Sequence, residues 1–339
     1  MTFVPAWHDI STCGTLRMPN LDRAAVEGSK YGKANNITKC QKWRNDGESI
    51  VLSVIDCQLD FINPKGALPV PGAVEDTDRL CRFIYNNVSQ ISHIVASLDT
   101  HYLYQPFHRF NWMAGSKPTS RSDGYVYSEG EHPDPFTIIT SQNIRDDNWR
   151  PLRHPVEMQK YLDALQEESK KQLCIWPIHC INGTPGHAFD PSFAEAMFFH
   201  AAARSNQYDD RTKGRAQLSE HYGILKAEIE FPSDPNTQLN QHVLSKWQDA
   251  DKVIFAGQAK SHCVIETLNQ VVSIFQHKGQ NHLLDKLYVL EDCMSSVADI
   301  ELPDGTKIEF DKMANDRLDE LKQLGVKMIK STDMMGDKS

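Results

Sequence analysis

Residues 251–279 read DKVIFAGQAKSHCVIETLNQVVSIFQHKG, and the order of events along this stretch decides the fold. The run KVIFAG is apolar and closed by Gly257, as a strand buried on both faces of a parallel sheet would be. A small polar turn follows, and from Cys263 onward apolar residues recur at helical spacing as far as Gly279. Strand, turn and helix in that order make half of a βαβ unit. Cys263 itself is open to two readings. It is a small thiol filling a strand–helix corner, or a nucleophile at the first turn of a helix. There the peptide dipole favours a thiolate, and free N–H groups can hold an oxyanion.

Working outward, the same alternation recurs. SIVLSVID (49–56), ISHIVASLD (91–99), QLCIWP (172–177), KLYVLEDCM (286–294) and VKMIKS (326–331) read as further strands. VEDTDRLCRFIYNNVSQ (74–90), MQKYLDALQEESKK (158–171) and FDKMANDRLDELKQLG (310–325) read as helices between them, and 189–223 as helix followed by loop. The predicted fold is α/β: a doubly wound, mostly parallel sheet with helices on both faces, a three-layer Rossmann-like arrangement. The expected organisation is an N-terminal extension over 1–48 packed on a main domain at 49–331, with a disordered tail at 332–339. An aromatic, Pro- and Gly-rich insertion without clear period spans about 109–155.

Composition narrows the function classes. With 339 residues and a net charge of −9, the chain has no basic tract to offset phosphate repulsion, so nucleic acid is an improbable partner. No apolar run approaches the roughly 20 residues of a membrane helix, and the start MTFVPAWHDISTCG lacks the features of a secretory signal. Eight cysteines without regular spacing do not read as a disulfide framework. A cytoplasmic protein with reduced thiols is expected. Cys13 and Cys40 lie in the extension, where nothing in the sequence suggests a metal site.

In such sheets ligands gather beyond the carboxyl ends of the strands. Asp56 closes the first strand, Asp99 and His101 the second, and His179 follows IWPI in the third. A carboxylate and two imidazoles suit a borderline divalent ion such as Zn or Fe. Asp56 by itself is equally a cap for the turn after its strand, and each histidine by itself a packed or surface residue.

Four segments carry a resemblance. VIDCQLDFINPKGALPVPGA (54–73), LDTHYLYQPFH (98–108), IWPIHCINGTPGHAF (175–189) and AGQAKSHCVIET (256–267) occur in that order. Together they resemble the isochorismatase-like cysteine hydrolases, and among these the nicotinamidases. The resemblance covers 49 to about 330. It implies an isochorismatase-like fold and hydrolysis of a small heterocyclic carboxamide, nicotinamide to nicotinate and ammonia, through a thioester. It carries Asp56, Lys213 and Cys263 over as the catalytic triad, with Lys226 as a nearby rival for the lysine. The N–H groups of Ala259 and Cys263 become the oxyanion hole, after a cis bond between Gln258 and Ala259. Asp99, His101 and His179 become ligands of a divalent metal, Zn first and then Fe or Mn, which in that family holds the pyridine nitrogen. Phe61 and Trp176 become the aromatics flanking the ring. A role in pyridine nucleotide salvage and self-association into a homo-oligomer are further expectations from the resemblance. Departures from the family pattern, such as EHYGIL at 220–225 and Lys260 and His262 before the cysteine, leave the substrate open. Another small amide or isochorismate is the alternative substrate, and a catalytically silent binding protein of the same fold the alternative to an enzyme.

Overall fold

The computed structural model describes residues 3–37, 47–117, 119–121, 123–168, 171–301 and 305–333. Its centre is a six-stranded sheet of β1 (Ile50–Ile55), β2 (His93–Asp99), β3 (Asp209–Lys213), β4 (Lys252–Gly257), β5 (Leu287–Leu290) and β6 (Lys327–Ile329), in the order β6-β5-β4-β1-β2-β3. Every pairing between these strands is parallel. The chain winds outward from β1 to β3, then restarts at β4 on the other side of β1. The order therefore reverses between β1 and β4, and a crevice opens at that switch point.

Successive residues of a strand face opposite ways. In β1, Ile50, Leu52 and Val54 enter one core while Val51 and Ile55 enter the other. The first core is covered by helices α2 (Ala73–Asn86), α3 (Pro155–Glu168) and α4 (Pro191–Arg204), the second by α5 (Gln241–Asp249), α6 (Ile265–His277) and α7 (Phe310–Gln323). Asp190 caps α4 by accepting from the N–H groups of Ser192 and Phe193, and Pro191 opens the helix with its ring-fixed φ. No helix among the described residues is long and apolar enough to cross a membrane.

Two strand assignments need correction. QLCIWP does not join the main sheet: only Leu173–Cys174 is extended, and it pairs antiparallel with Ile138–Ile139. The third place on that side belongs to DDRTK at 209–213, whose polar composition does not suggest a strand. An edge strand is paired along one flank only, so polar residues can project to water, and Asp210 and Thr212 are exposed. His179 consequently sits in a loop rather than at a strand end.

The N-terminal segment is more ordered than its polar composition suggested. Helix α1 (Leu21–Ala34) lies against α4. The contact is close because Gly28 and Gly32 carry no side chain: a Cβ there would stand 2.3 and 2.2 Å from the carbonyl oxygens of Phe199 and Ala203. Ahead of α1, Gly14 N–H donates to Asp190 and Arg17 grips Glu195 at 2.7 and 2.9 Å. Between 109 and 155, Trp112–Ala114 pairs antiparallel with Trp149–Pro151, and fully buried Trp112 and Trp149 join the first core. Cys40 falls outside the described residues, as does most of the expected tail.

Candidate active site

The three strands on one side of the switch point each end in a charged residue. Asp56 follows β1 with a left-handed φ of 45°, Asp99 closes β2 and Lys213 closes β3. Adjacent parallel strands in register set these side chains next to one another. Lys213 Nζ lies 2.8 Å from Asp56 Oδ2 and 3.0 Å from Asp99 Oδ1, and donates to the His221 carbonyl at 3.2 Å. Ser97 Oγ donates to Asp56 Oδ1 at 2.6 Å.

The sulfur arrives from the other side. Gly257 ends β4 at φ 116°, where a Cβ would come within 2.0 Å of the Ile55 carbonyl oxygen, so only glycine fits. The Gln258–Ala259 peptide is cis. Cys263 then sits on a π-helical turn, Lys260–Val264, that runs directly into α6. Its Sγ lies 3.5 Å from Lys213 Nζ. Lys226 pairs with Glu230 at 2.7 Å in an exposed contact and does not enter the group.

Asp56, Lys213 and Cys263 are all buried. Burial pushes the Cys263 thiol well above its ordinary pKa, against the pull of Lys213, with Asp56 and Asp99 pushing the same way as burial. The resting sulfur is therefore a thiol, not the pre-formed thiolate that a helix terminus alone would favour. Burial also raises Asp56, again against Lys213, and so makes it a stronger base. Burial opposes the charge on Lys213, but Asp56 and Asp99 outweigh it and hold the ammonium well above its usual pKa.

Asp99 also faces a pair of imidazoles. His101 Nε2 is 2.8 Å and His179 Nε2 3.8 Å from Asp99 Oδ2, and the three residues are buried. His179 Nδ1 donates to the Pro177 carbonyl at 2.7 Å, and His101 Nδ1 faces the Gly214 carbonyl at 3.3 Å. A carbonyl on Nδ1 places the proton there and leaves the Nε2 lone pair for an ion. The chain leaves room for it: a Cβ on Gly214 would stand 2.6 Å from Asp99 Oδ1 and 2.7 Å from His101 Cε1. The donor set thus fits a divalent metal. His108, to which sequence reading gave no role, has its ring 5.8 Å from His101 and its buried Nε2 without a hydrogen-bond partner. Burial lowers its pKa to about 3, so it stays neutral as a ligand must.

A cavity between the sulfur and these imidazoles is lined by Phe61, Leu68, Trp176, Glu220, Tyr222, His262 and Val297. Phe61 lies 5.5 Å from the His179 ring, and Trp176 Nε1 donates to the Tyr222 hydroxyl at 3.1 Å. The residues singled out from the sequence therefore meet in one place. Tyr222 and Glu220 had no assigned role. Their signal lay in EHY at 220–222, just after Lys213, but without the β3 edge strand nothing turned it inward. Gln58 is a further addition. Its side-chain amide donates to the Asp99 carbonyl at 2.8 Å and accepts from Asp99 N–H at 2.7 Å, tying the ends of β1 and β2 together. A larger surface cleft lined by Lys171, Lys226, Glu228 and Glu266 holds none of the triad or imidazole residues.

Comparison with solved structures bears on the fold. The yeast nicotinamidase Pnc1p superposes with a TM-score of 0.52 at 18% identity, over 83% of this chain and 99% of that one. A nicotinamidase/pyrazinamidase from Acinetobacter baumanii gives 0.51 at 18% identity, over 85% and 99%. No protein-family model matches the chain. No curated protein matches it either. The fold is the α/β fold found in these nicotinamidases.

Proposed function

We propose that the chain is a metal-containing cysteine amidohydrolase acting on a small heterocyclic carboxamide, nicotinamide first among them. The observation that carries this reading is the single ammonium, Lys213 Nζ, within reach of Asp56, Asp99 and Cys263 at once. Asp56 takes the thiol proton as the sulfur attacks the carbonyl carbon. Lys213 keeps the acid and the sulfur in register and balances the negative charge on sulfur before its bond to carbon is complete. The N–H groups of Ala259 and Cys263 receive the developing oxyanion, an interaction whose loss typically costs about 3 kcal/mol of barrier. Asp56 returns the proton to the departing nitrogen, so ammonia leaves and a thioester remains. Water then attacks the thioester with Asp56 again as base, releasing the carboxylic acid and the thiol.

A metal on Asp99, His101 and His179, zinc first by ligand type, would supply a Lewis acid for the ring nitrogen. Phe61 and Trp176 would hold the ring between them and keep water out of the cavity. The imidazole set favours a nitrogen heterocycle over isochorismate, which has no ring nitrogen to offer.

The test is ammonia release from nicotinamide and from benzamide, which has the same shape without the ring nitrogen. Nicotinamide should be hydrolysed, benzamide at most poorly, and Cys263→Ala should be inactive on both. Turnover in Cys263→Ala would end the covalent mechanism. Equal rates on the two amides would end the role given to the imidazole cluster. Nicotinaldehyde, the inhibitor in a second yeast Pnc1p structure, should block ammonia release if the ring binds as described.

A further inference from the structure

His8, Cys13 and Asp78 form a second cluster of metal-ligating side chains, remote in sequence from the first and unrelated to the triad. One ligand atom of each lies within 4.8 Å of the others. From the geometry we infer that these residues hold a second divalent metal ion, of zinc type, which clasps the N-terminal segment to helix α2.

Several features point the same way. The residues supply one imidazole nitrogen, one sulfur and one carboxylate oxygen, all common zinc ligands. His8 Nε2 stands 2.8 Å from Asp78 Oδ1, the spacing also found between His101 Nε2 and Asp99 Oδ2. The second oxygen of Asp78 is held by Arg82 Nε at 2.8 Å, so the carboxylate is oriented by an outer hydrogen bond, as ligating carboxylates commonly are. The His8 side chain is 1% exposed and Cys13 4%. Burying the ion is also balanced in charge, since one thiolate and one carboxylate neutralise its two positive charges.

The local chain brings the ligands together. His8 and Cys13 flank a single 3-10 turn, Ile10–Thr12, whose start is capped by Asp9 accepting from Ser11 N–H. That turn folds the chain back so that residues five apart face one point. The position beyond Cys13 is fixed by Gly14 N–H on Asp190. Binding releases the Cys13 thiol proton to solvent, and no electron is transferred. The sequence offered no metal-binding spacing here because the third ligand lies on α2, in a different segment of the chain.

Cobalt reports on the site directly, because a thiolate ligand gives a near-ultraviolet charge-transfer band that imidazole and carboxylate do not. Metal-stripped protein is reloaded with Co²⁺, and bound cobalt and the band are measured in wild type, Cys13→Ser, His8→Gln, Cys263→Ala and His101→Ala. Wild type should bind two cobalt ions per chain and show the band. Cys13→Ser should lose one ion and the band, and His8→Gln should weaken both. Cys263→Ala should keep the band, which separates this sulfur from the one beside Asp56. His101→Ala should keep the band while losing the other ion, so this inference stands or falls apart from the proposed function. No band in wild type, or a band unchanged in Cys13→Ser, overturns it. Circular dichroism of each variant, together with retention of the other ion, shows whether the chain is folded.

Discussion

Lys213 touches Asp99 at 3.0 Å, so the ammonium beside the sulfur also grips the carboxylate that faces the imidazoles. Asp99 divides its oxygens: Oδ1 goes to Lys213, while Oδ2 faces His101 and His179. The proposed chemical and ring-holding halves of the site share one side chain.

Removing that ammonium should therefore do more than slow a reaction. Lys213→Ala leaves Asp56 and Asp99 buried without their cation, and uncompensated buried charges typically cost about 3–5 kcal/mol. We expect loss of turnover by at least about a thousandfold together with a lower melting temperature. Lys226→Ala, at an exposed ion pair, should change neither by much. Ammonia release and thermal melts check both arms, and the opposite pattern would reassign the lysine.

Cys263 should be a poor target for alkylation. Burial raises its pKa well above that of a free thiol, and only the thiolate is alkylated efficiently. Iodoacetamide should modify the folded protein at Cys263 far more slowly than a model thiol at pH 7, followed by mass spectrometry of the peptide. Fast alkylation at pH 6 would show a pre-formed thiolate and remove Asp56 from the first proton transfer.

Acid should unfold the protein early. His108, His200 and His221 are buried, and burial lowers each pKa from 6.5 to about 3. Between those limits the unfolded chain binds protons that the folded chain refuses, so stability is full above pH 6.5 and falls as pH drops. Each histidine contributes up to about 1.4 kcal/mol per pH unit, roughly 4 for the three together. Asp190 works in the other direction: burial raises it to about 6, offsetting about one histidine between pH 6 and 4. Urea melts at pH 7.5 and 5 should show the loss, and a flat profile would contradict it.

Gly32→Val should loosen the N-terminal segment. The added side chain meets the Ala203 carbonyl, a backbone atom that cannot swing aside, and overpacking of this kind typically costs about 1–3 kcal/mol. Early trypsin cleavage around Arg17 and Arg23 is the readout. Wild-type resistance in this variant would show that α1 does not depend on the close contact.

How much of this was legible follows from where each residue lies. Asp56, Asp99 and Cys263 could be placed because they border apolar runs that betray buried parallel strands, the one before Cys263 closing in a glycine. Lys213 rested on resemblance alone. Its strand, DDRTK, is an edge, where tertiary pairing overrides a polar composition. QLCIWP failed for the converse reason: it is apolar enough for a central strand, yet Pro177 lacks an N–H and the run pairs with Ile138–Ile139 instead. Glu220, Tyr222 and His108 take on meaning only when distant segments meet. The close approach of α1 to α4 depends on glycines spaced four apart, a pattern that composition alone does not reveal.

The amide of Gln58 acts as one more rung between β1 and β2, past the last backbone bond that joins them. A side chain that both gives and takes a hydrogen bond lets neighbouring strands splay without leaving either peptide group bare. That rung ties the ends of the two strands together at Asp99, which also lines the cavity. Trp176, which lines the same cavity, has Phe136 of the insertion edge-on against it, so a shift of the insertion would reshape the cavity wall.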